Sequence, residues 1–251
     1  MRHFRYLATL ASQLEVQTYF EIGTSFGESL AVIDCTAICV DPAFRLDRDV
    51  LGKKPALFAF QLTSDDFFAR HRIASLLPAP HTLDLAFLDG MHHFEFLLRD
   101  FMNTEKSCTR DSVVTLHDCL PLHPRAARRV DKRGMPAMQT TRPVRAAGSG
   151  WTGDVWKVLR ILQKYRPDLR LTVFDCPPSS LVAVTHCDPA NRVLEQNYDA
   201  IVAEWMEADR RPGWFDALHD SVTLVPSRQH LAAPAMRRVL GIARRPGDGA
   251  A

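Results

Sequence analysis

The chain contains no unbroken apolar run of membrane-spanning length, which predicts that no segment crosses a bilayer as a helix. Its first fourteen residues alternate charged with apolar side chains and lack the continuous hydrophobic stretch of a secretory signal, so a cytoplasmic location is expected. Cys35, Cys39, Cys108, Cys119, Cys176 and Cys187 include no Cys-x-x-Cys pair and keep no zinc-ligand rhythm with histidine. Several lie inside apolar runs, where a free thiol acts as a small hydrophobe. A formal net charge of +2 is too small to specify nucleic acid or a membrane surface as a partner. The turn after the first strand lacks Gly-x-Gly-x-x-Gly, and the chain has no Tyr-x-x-x-Lys pair, which disfavours a nicotinamide oxidoreductase. What remains is the composition of an ordinary globular protein, 46% apolar and 24% charged over 251 residues, long enough for one α/β domain and an extension.

One stretch, residues 18–41, organises the rest. A β-prone run, Thr18-Tyr19-Phe20-Glu21-Ile22, meets a turn with glycines at Gly23 and Gly27, and Thr24 and Ser25 lie between them. A helical pattern through Leu30, Ala31 and Ile33 follows, then a second apolar run that ends in Asp41. Glycine lets a ligand approach the main chain closely. An acid about twenty residues on, at the tip of the second strand, can accept both hydroxyls of a ribose. The spacing is Glu-x-Gly-x-x-x-Gly, with an acid where a pyrophosphate site would want none. It resembles motif I of the class I methyltransferases, whose ligand S-adenosylmethionine carries a ribose and a sulfonium but no phosphate. The resemblance implies that Glu21, Gly23 and Gly27, with Thr24 and Ser25 in the same turn, line the methionine and ribose side, and that Asp41 holds the ribose hydroxyls.

Further along, residues 4–14 show a helical period, and Pro42 ends the second strand. Residues 43–54 are expected to be partly helical, and 56–61 form a third strand. Ser64 is expected to cap a helix whose first turn carries Asp65 and Asp66. In the methyltransferase fold the loop after strand three touches adenine, which makes Asp65 a candidate for the exocyclic amine; the alternative is that both acids only complement the helix dipole. Residues 83–89 are the clearest buried strand, ending in Asp89-Gly90-Met91-His92-His93. A helix with Phe94, Leu97, Leu98 and Phe101 on one face follows. Residues 112–116 make a fifth strand that ends in His117-Asp118-Cys119. Residues 119–150 change character, with four prolines, seven basic residues and Asp131 as the one acid, and read as a basic insertion. A periodic helix begins near Val155, Pro167 stops it, and 169–174 and 181–185 are two further strands.

Strands alternating with helices predict a parallel sheet covered on both faces, and the last two strands lie too close together for a helical crossover. The expected fold is an α/β, Rossmann-like, seven-stranded, mostly parallel sheet with helices on both faces and the last strand antiparallel. It spans residues 1–188, and a helical extension with a loose tail follows over 189–251.

Ligands of open α/β sheets bind at the carboxyl ends of the strands, where Glu21, Asp41, Asp89 and Asp118 gather. Phe87-Leu88-Asp89-Gly90-Met91-His92 together with Leu116-His117-Asp118-Cys119 resembles methyltransferase family 24, small bacterial class I enzymes whose relatives include Mg²⁺-dependent O-methyltransferases. The resemblance implies Asp89 and Asp118 as metal candidates, with Asp89 beside the cofactor. It places Cys119 where the catechol type has an oxygen ligand, and thiolate suits softer ions than Mg²⁺. Without a metal, His92 or His117 can act as general base, with Asp118 beside them, because imidazole titrates near neutral pH. His93, one position on, is expected to point elsewhere. The expected function is S-adenosylmethionine-dependent O-methylation of a small molecule, anionic or sugar-containing if the basic insertion recognises it. No nucleic-acid or membrane partner is indicated, and a homo-oligomer is compatible with the sequence. The alternatives are a methyltransferase-like domain that binds a nucleoside or partner without chemistry and, more weakly, an NAD(P)-dependent oxidoreductase.

Overall fold

All five residues of β1, Thr18–Ile22, are buried, as a strand must be when both faces of its sheet are covered. In the computed structural model, which describes residues 1–130 and 150–243, β1 lies between β2 (Thr36–Val40) and β4 (Leu83–Leu88), parallel to both. β3 (Leu57–Phe60) is the outer neighbour of β2, and β5 (Cys108–His117) runs parallel to β4. β6 (Arg170–Phe174) and β7 (Leu181–Thr185) complete the expected seven, and β7 is antiparallel to both β5 and β6. Among the described residues the sheet has eight strands rather than seven, in the order β3-β2-β1-β4-β5-β7-β6-β8. The added β8 is Leu224–Val225, parallel to β6; two residues are too few to show a period, and Pro226 stops them.

Alternation along the strands separates two apolar layers. Phe20, Ile22, Val40 and Leu88 face α4 (Phe94–Glu105) and α5 (Trp156–Tyr165), and α4 turns Phe94, Leu97, Leu98 and Phe101 inward as their spacing requires. Tyr19, Cys39, Leu85 and Phe87 face the other way, towards α1 (His3–Gln13) and α9 (Ala233–Leu240). The described residues beyond 189 belong to both layers. Ile201 and Trp205 of α7 (Tyr198–Trp205), with Leu218 of α8 (Trp214–Asp220), enter the first, and Met236 and Leu240 enter the second. The start of the helical extension is divided at Asn197, which separates α6 (Val193–Gln196) from α7.

Three local expectations change. The segment after the glycine turn makes only a 3₁₀ turn, Leu30–Val32, because Lys54 Nζ takes the Leu30 and Ile33 carbonyls at 2.7 and 2.5 Å. Residues 43–54 contain no helix; Asp49 accepts from the Leu51 and Gly52 amides at 3.0 Å, a local turn that competes with helical pairing. The cap of α2 (Ser64–Arg70) is Thr63, not Ser64, and Thr63 Oγ1 accepts from the Asp66 amide at 3.1 Å. All six cysteines are free, five of them buried and Cys35 half-buried. Among the described residues no helix is long and apolar enough to cross a membrane. Positions 131–149 of the basic insertion and 244–251 of the tail lie outside the described residues.

Candidate active site

The carboxyl ends of β1, β2 and β4 are drawn together by main-chain contacts. The Gly23 amide donates to Val40 O, and the Asp89 amide donates to Ile22 O, each at 2.9 Å. Gly23 has φ +90°, and a Cβ there would sit 2.0 Å from the carbonyl oxygen of Asp89. Only glycine permits that approach. Beside it Asp41 is held rigidly, its Oδ2 accepting from the Ser25 amide at 2.8 Å and its Oδ1 from the Ala43 amide at 2.7 Å.

These groups open onto a cavity of about 500 Å³ whose lining also includes Pro42, Thr63, Ser64, Met91 and Phe96. Of the residues singled out from sequence, Gly23, Ser25, Asp41, Asp65, Asp89 and His92 line it. Glu21, Thr24, Gly27, His117 and Asp118 are not among its lining residues. Glu21 is fully buried on the opposite face of β1, where it accepts from the Tyr19 hydroxyl at 2.7 Å, and burial pushes its carboxyl up. Gly27 shapes the turn, with φ +80° and Val50 where a Cβ would go. Asp65 lies at the rim with both oxygens engaged by Arg99, at 2.9 and 2.6 Å.

A cluster of acids and imidazoles closes the β4–β5 end. His117 Nδ1 lies 3.2 Å from Asp89 Oδ1 and 3.3 Å from Asp118 Oδ1. His92 lies across from it, Nε2 3.4 Å from Asp89 Oδ1 and Nδ1 3.5 Å from Asp118 Oδ2. Burial alone would lower the His117 pKa, but Asp89 and Asp118 outweigh it and raise it well above the ordinary value. Burial likewise works against charge on Asp89 and Asp118, yet His117 holds both below the usual carboxylate range. His117 is therefore the counter-ion of the two acids. Asp118 itself adopts φ +62°, a left-handed conformation that aspartate tolerates better than most residues.

Sequence reasoning missed two members of this cluster. Ser179 Oγ donates a short hydrogen bond to Asp118 Oδ1, and the His3 ring lies 4.1 Å from that of His117. Burial, then the charge on His117, lowers His3 to about 4, which keeps it neutral. Neither residue has a local signature; each arrives from an element distant in sequence. His93 does point elsewhere, towards Val130 O at 2.8 Å.

The near end of the basic insertion is also tied to this site. Arg129 pairs with Glu95 and with Asp154, the latter at 3.1 Å, which commits its charge internally. The insertion's other basic residues, apart from Arg125 and Arg128, lie outside the described positions.

Asp89, His92 and Asp118 each offer one donor atom within 4.8 Å of the others. That donor set does not fit Mg²⁺: its third member is an imidazole nitrogen where Mg²⁺ takes oxygen, and the two carboxylates are already neutralised by His117 between them. Cys119, at the position where the resemblance calls for an oxygen ligand, is fully buried in the core, with Sγ 3.4 Å from His117 O.

No family model matches the sequence, and no curated protein does. Among solved structures, the chain is similar to the O-methyltransferase TomG of Streptomyces achromogenes, involved in tomaymycin synthesis and solved with S-adenosylmethionine. That pair shares 14% identity over 74% of this chain and 79% of the other, with a TM-score of 0.48. It is similar also to an O-methyltransferase of Bacillus cereus solved with S-adenosylhomocysteine, at 12% identity over 72% of this chain and 80% of that one, TM-score 0.47. An S-adenosylhomocysteine-bound methyltransferase of Podospora anserina gives 11% identity, 74% and 78% coverage, and a TM-score of 0.47.

Proposed function

We propose that the chain is an S-adenosylmethionine-dependent methyltransferase acting on an oxygen of a small molecule. One observation carries the reading: a single cavity is lined at one part by Gly23, Ser25 and a rigid Asp41 and at another by His92 and Asp89. The first group has the shape and charge to hold a nucleoside without phosphates. Asp41 already has its carboxylate oriented by two amides, so ribose hydroxyls can donate to its remaining lone pairs. The bare Gly23 backbone leaves room that any side chain would fill. Bound there, S-adenosylmethionine supplies a methyl group on a positively charged sulfur.

The chain's own part in the reaction is orientation and proton transfer. His92 lines the cavity and takes the proton from the acceptor hydroxyl on Nε2, since Nδ1 is buried beside Asp118. Asp89 and Asp118, both in contact with the ring, stabilise the imidazolium that results. His117 does not share that role: as the standing counter-ion of the two acids, it is already protonated. No step is routed through Mg²⁺, because the donors do not suit it.

Calorimetry with S-adenosylhomocysteine and, separately, NAD tests the reading directly. Binding of the first and not the second is expected. NAD binding, or no binding of S-adenosylhomocysteine, would sink the proposal.

A further inference from the structure

His92 lies in the irregular link between β4 and α4, where nothing in regular secondary structure fixes its side chain. A base that must meet a hydroxyl in one orientation needs its ring held on more than one side. Asp89 and Asp118 reach its two nitrogens and so restrain its edge. The face is restrained by Trp151, whose ring stacks on the imidazole at 5.0 Å and 22°.

We infer that Trp151, with the turn that follows it, is the positioning residue that sets the plane of the His92 ring; this rests on the reading of His92 as the base. The turn is built around that contact. Gly153 has φ +64°, and a Cβ there would lie 1.9 Å from the His92 carbonyl oxygen, so only glycine lets this segment press so close. The Asp154 amide donates to that same carbonyl at 3.2 Å. Asp154 Oδ1 then accepts from the Phe94 amide at 3.0 Å, capping α4 from sixty residues away because α4 has no side-chain cap of its own.

Trp151 is itself anchored. Its Nε1 donates to Arg128 O at 2.7 Å, and the Thr152 amide donates to Ala126 O at 2.9 Å. Arg129 joins Glu95 of α4 to Asp154, which closes the ring of contacts. The two roots of the basic insertion are thus bonded to each other and to the segment that carries His92. An imidazole caught between two carboxylates and an indole face has one plane open to it.

Nuclear magnetic resonance of the histidine Cε1–H groups tests this without turnover, with S-adenosylhomocysteine as the probe and His92→Gln to assign the signal. In the wild type the His92 resonance is expected upfield, shifted by the indole ring current. It should return towards the free-imidazole position in Trp151→Leu and stay displaced in Trp151→Phe, while S-adenosylhomocysteine affinity and the melting temperature hold in both. An unmoved His92 signal in Trp151→Leu overturns the inference, and so does affinity that falls in step with the melting temperature, which would mark Trp151 as structural only. If Trp151→Leu does not fold, failure of Trp151→Phe to keep the displaced signal overturns it instead. Wild type that fails to bind S-adenosylhomocysteine defeats the proposed function, and the resonance still decides whether Trp151 holds the ring.

Discussion

Asp41 receives two main-chain hydrogen bonds at a cavity wall, so its carboxylate is fixed before any ligand arrives. Removing such a charged partner typically costs about 1.5–3 kcal/mol, or roughly ten- to a hundredfold in affinity. Asp41→Ala is expected to weaken S-adenosylhomocysteine by that factor in calorimetry with its melt little changed; wild-type affinity would take Asp41 out of the site. His117 makes a different prediction. Its raised pKa contributes stability that is complete below the ordinary histidine value of about 6.5 and fades as pH rises through the folded value. The depressed Asp89 and Asp118 contribute above about 3.9 and lose it as pH falls through their folded values. The melting-temperature gap between wild type and His117→Gln should therefore be widest between about pH 4 and 6.5 and narrow in more alkaline buffer. A gap independent of pH would mean that His117 packs rather than pairs. Turnover should survive EDTA; loss that is restored by Mg²⁺ would overturn the reading of the donor set.

Among the elements, the turn after β1 is the least tolerant. Gly23→Ala would force a Cβ to within 2.0 Å of Asp89 O, against main chain that has no room to yield. The expected outcome is loss of soluble protein, or a large drop in melting temperature together with loss of S-adenosylhomocysteine binding. A stable variant with full binding would show that β1 and β4 can part. This turn also shows what could be read from sequence. The glycine, the following acid at Asp41 and the apolar run before Asp89 are local signals, and Gly23, Asp41 and Asp89 all line the cavity. The partner that makes Gly23 indispensable, Asp89 O, is more than sixty residues away and has no sequence signature. Ser179, His3 and Trp151 escaped for the same reason, since each meets the cluster only through the fold. The 3₁₀ turn at Leu30 escaped because a buried lysine, Lys54, captures carbonyls that a helical pattern would have paired. β8 is too short to register at all.

At the scale of the molecule, the described residues beyond 189 complete both layers instead of hanging from them. Trp214 stacks on Trp156 at 4.3 Å, and buried Lys157 depends on Met206 O and Asp209 for two of its contacts. Ending the chain at residue 188 would strip apolar cover from both sides of the sheet and leave Lys157 short of partners. The expected result is a chain without a cooperative melt or near-ultraviolet dichroism; a sharp transition near the wild-type temperature would prove the core self-sufficient.

The buried cysteines give this molecule a built-in clock. Burial pushes the thiol of Cys39 up to about 12 and that of Cys176 to about 11, so scarcely any thiolate exists to meet an alkylating reagent while the chain is closed. Each sulfur becomes reactive only when its own surroundings part. Cys108, Cys119 and Cys187 sit in one apolar layer, and Cys39 and Cys176 sit in the other. Peptide-resolved rates of iodoacetamide labelling would therefore time the opening of the two faces of the sheet separately, with no cysteine engineered in and no residue changed.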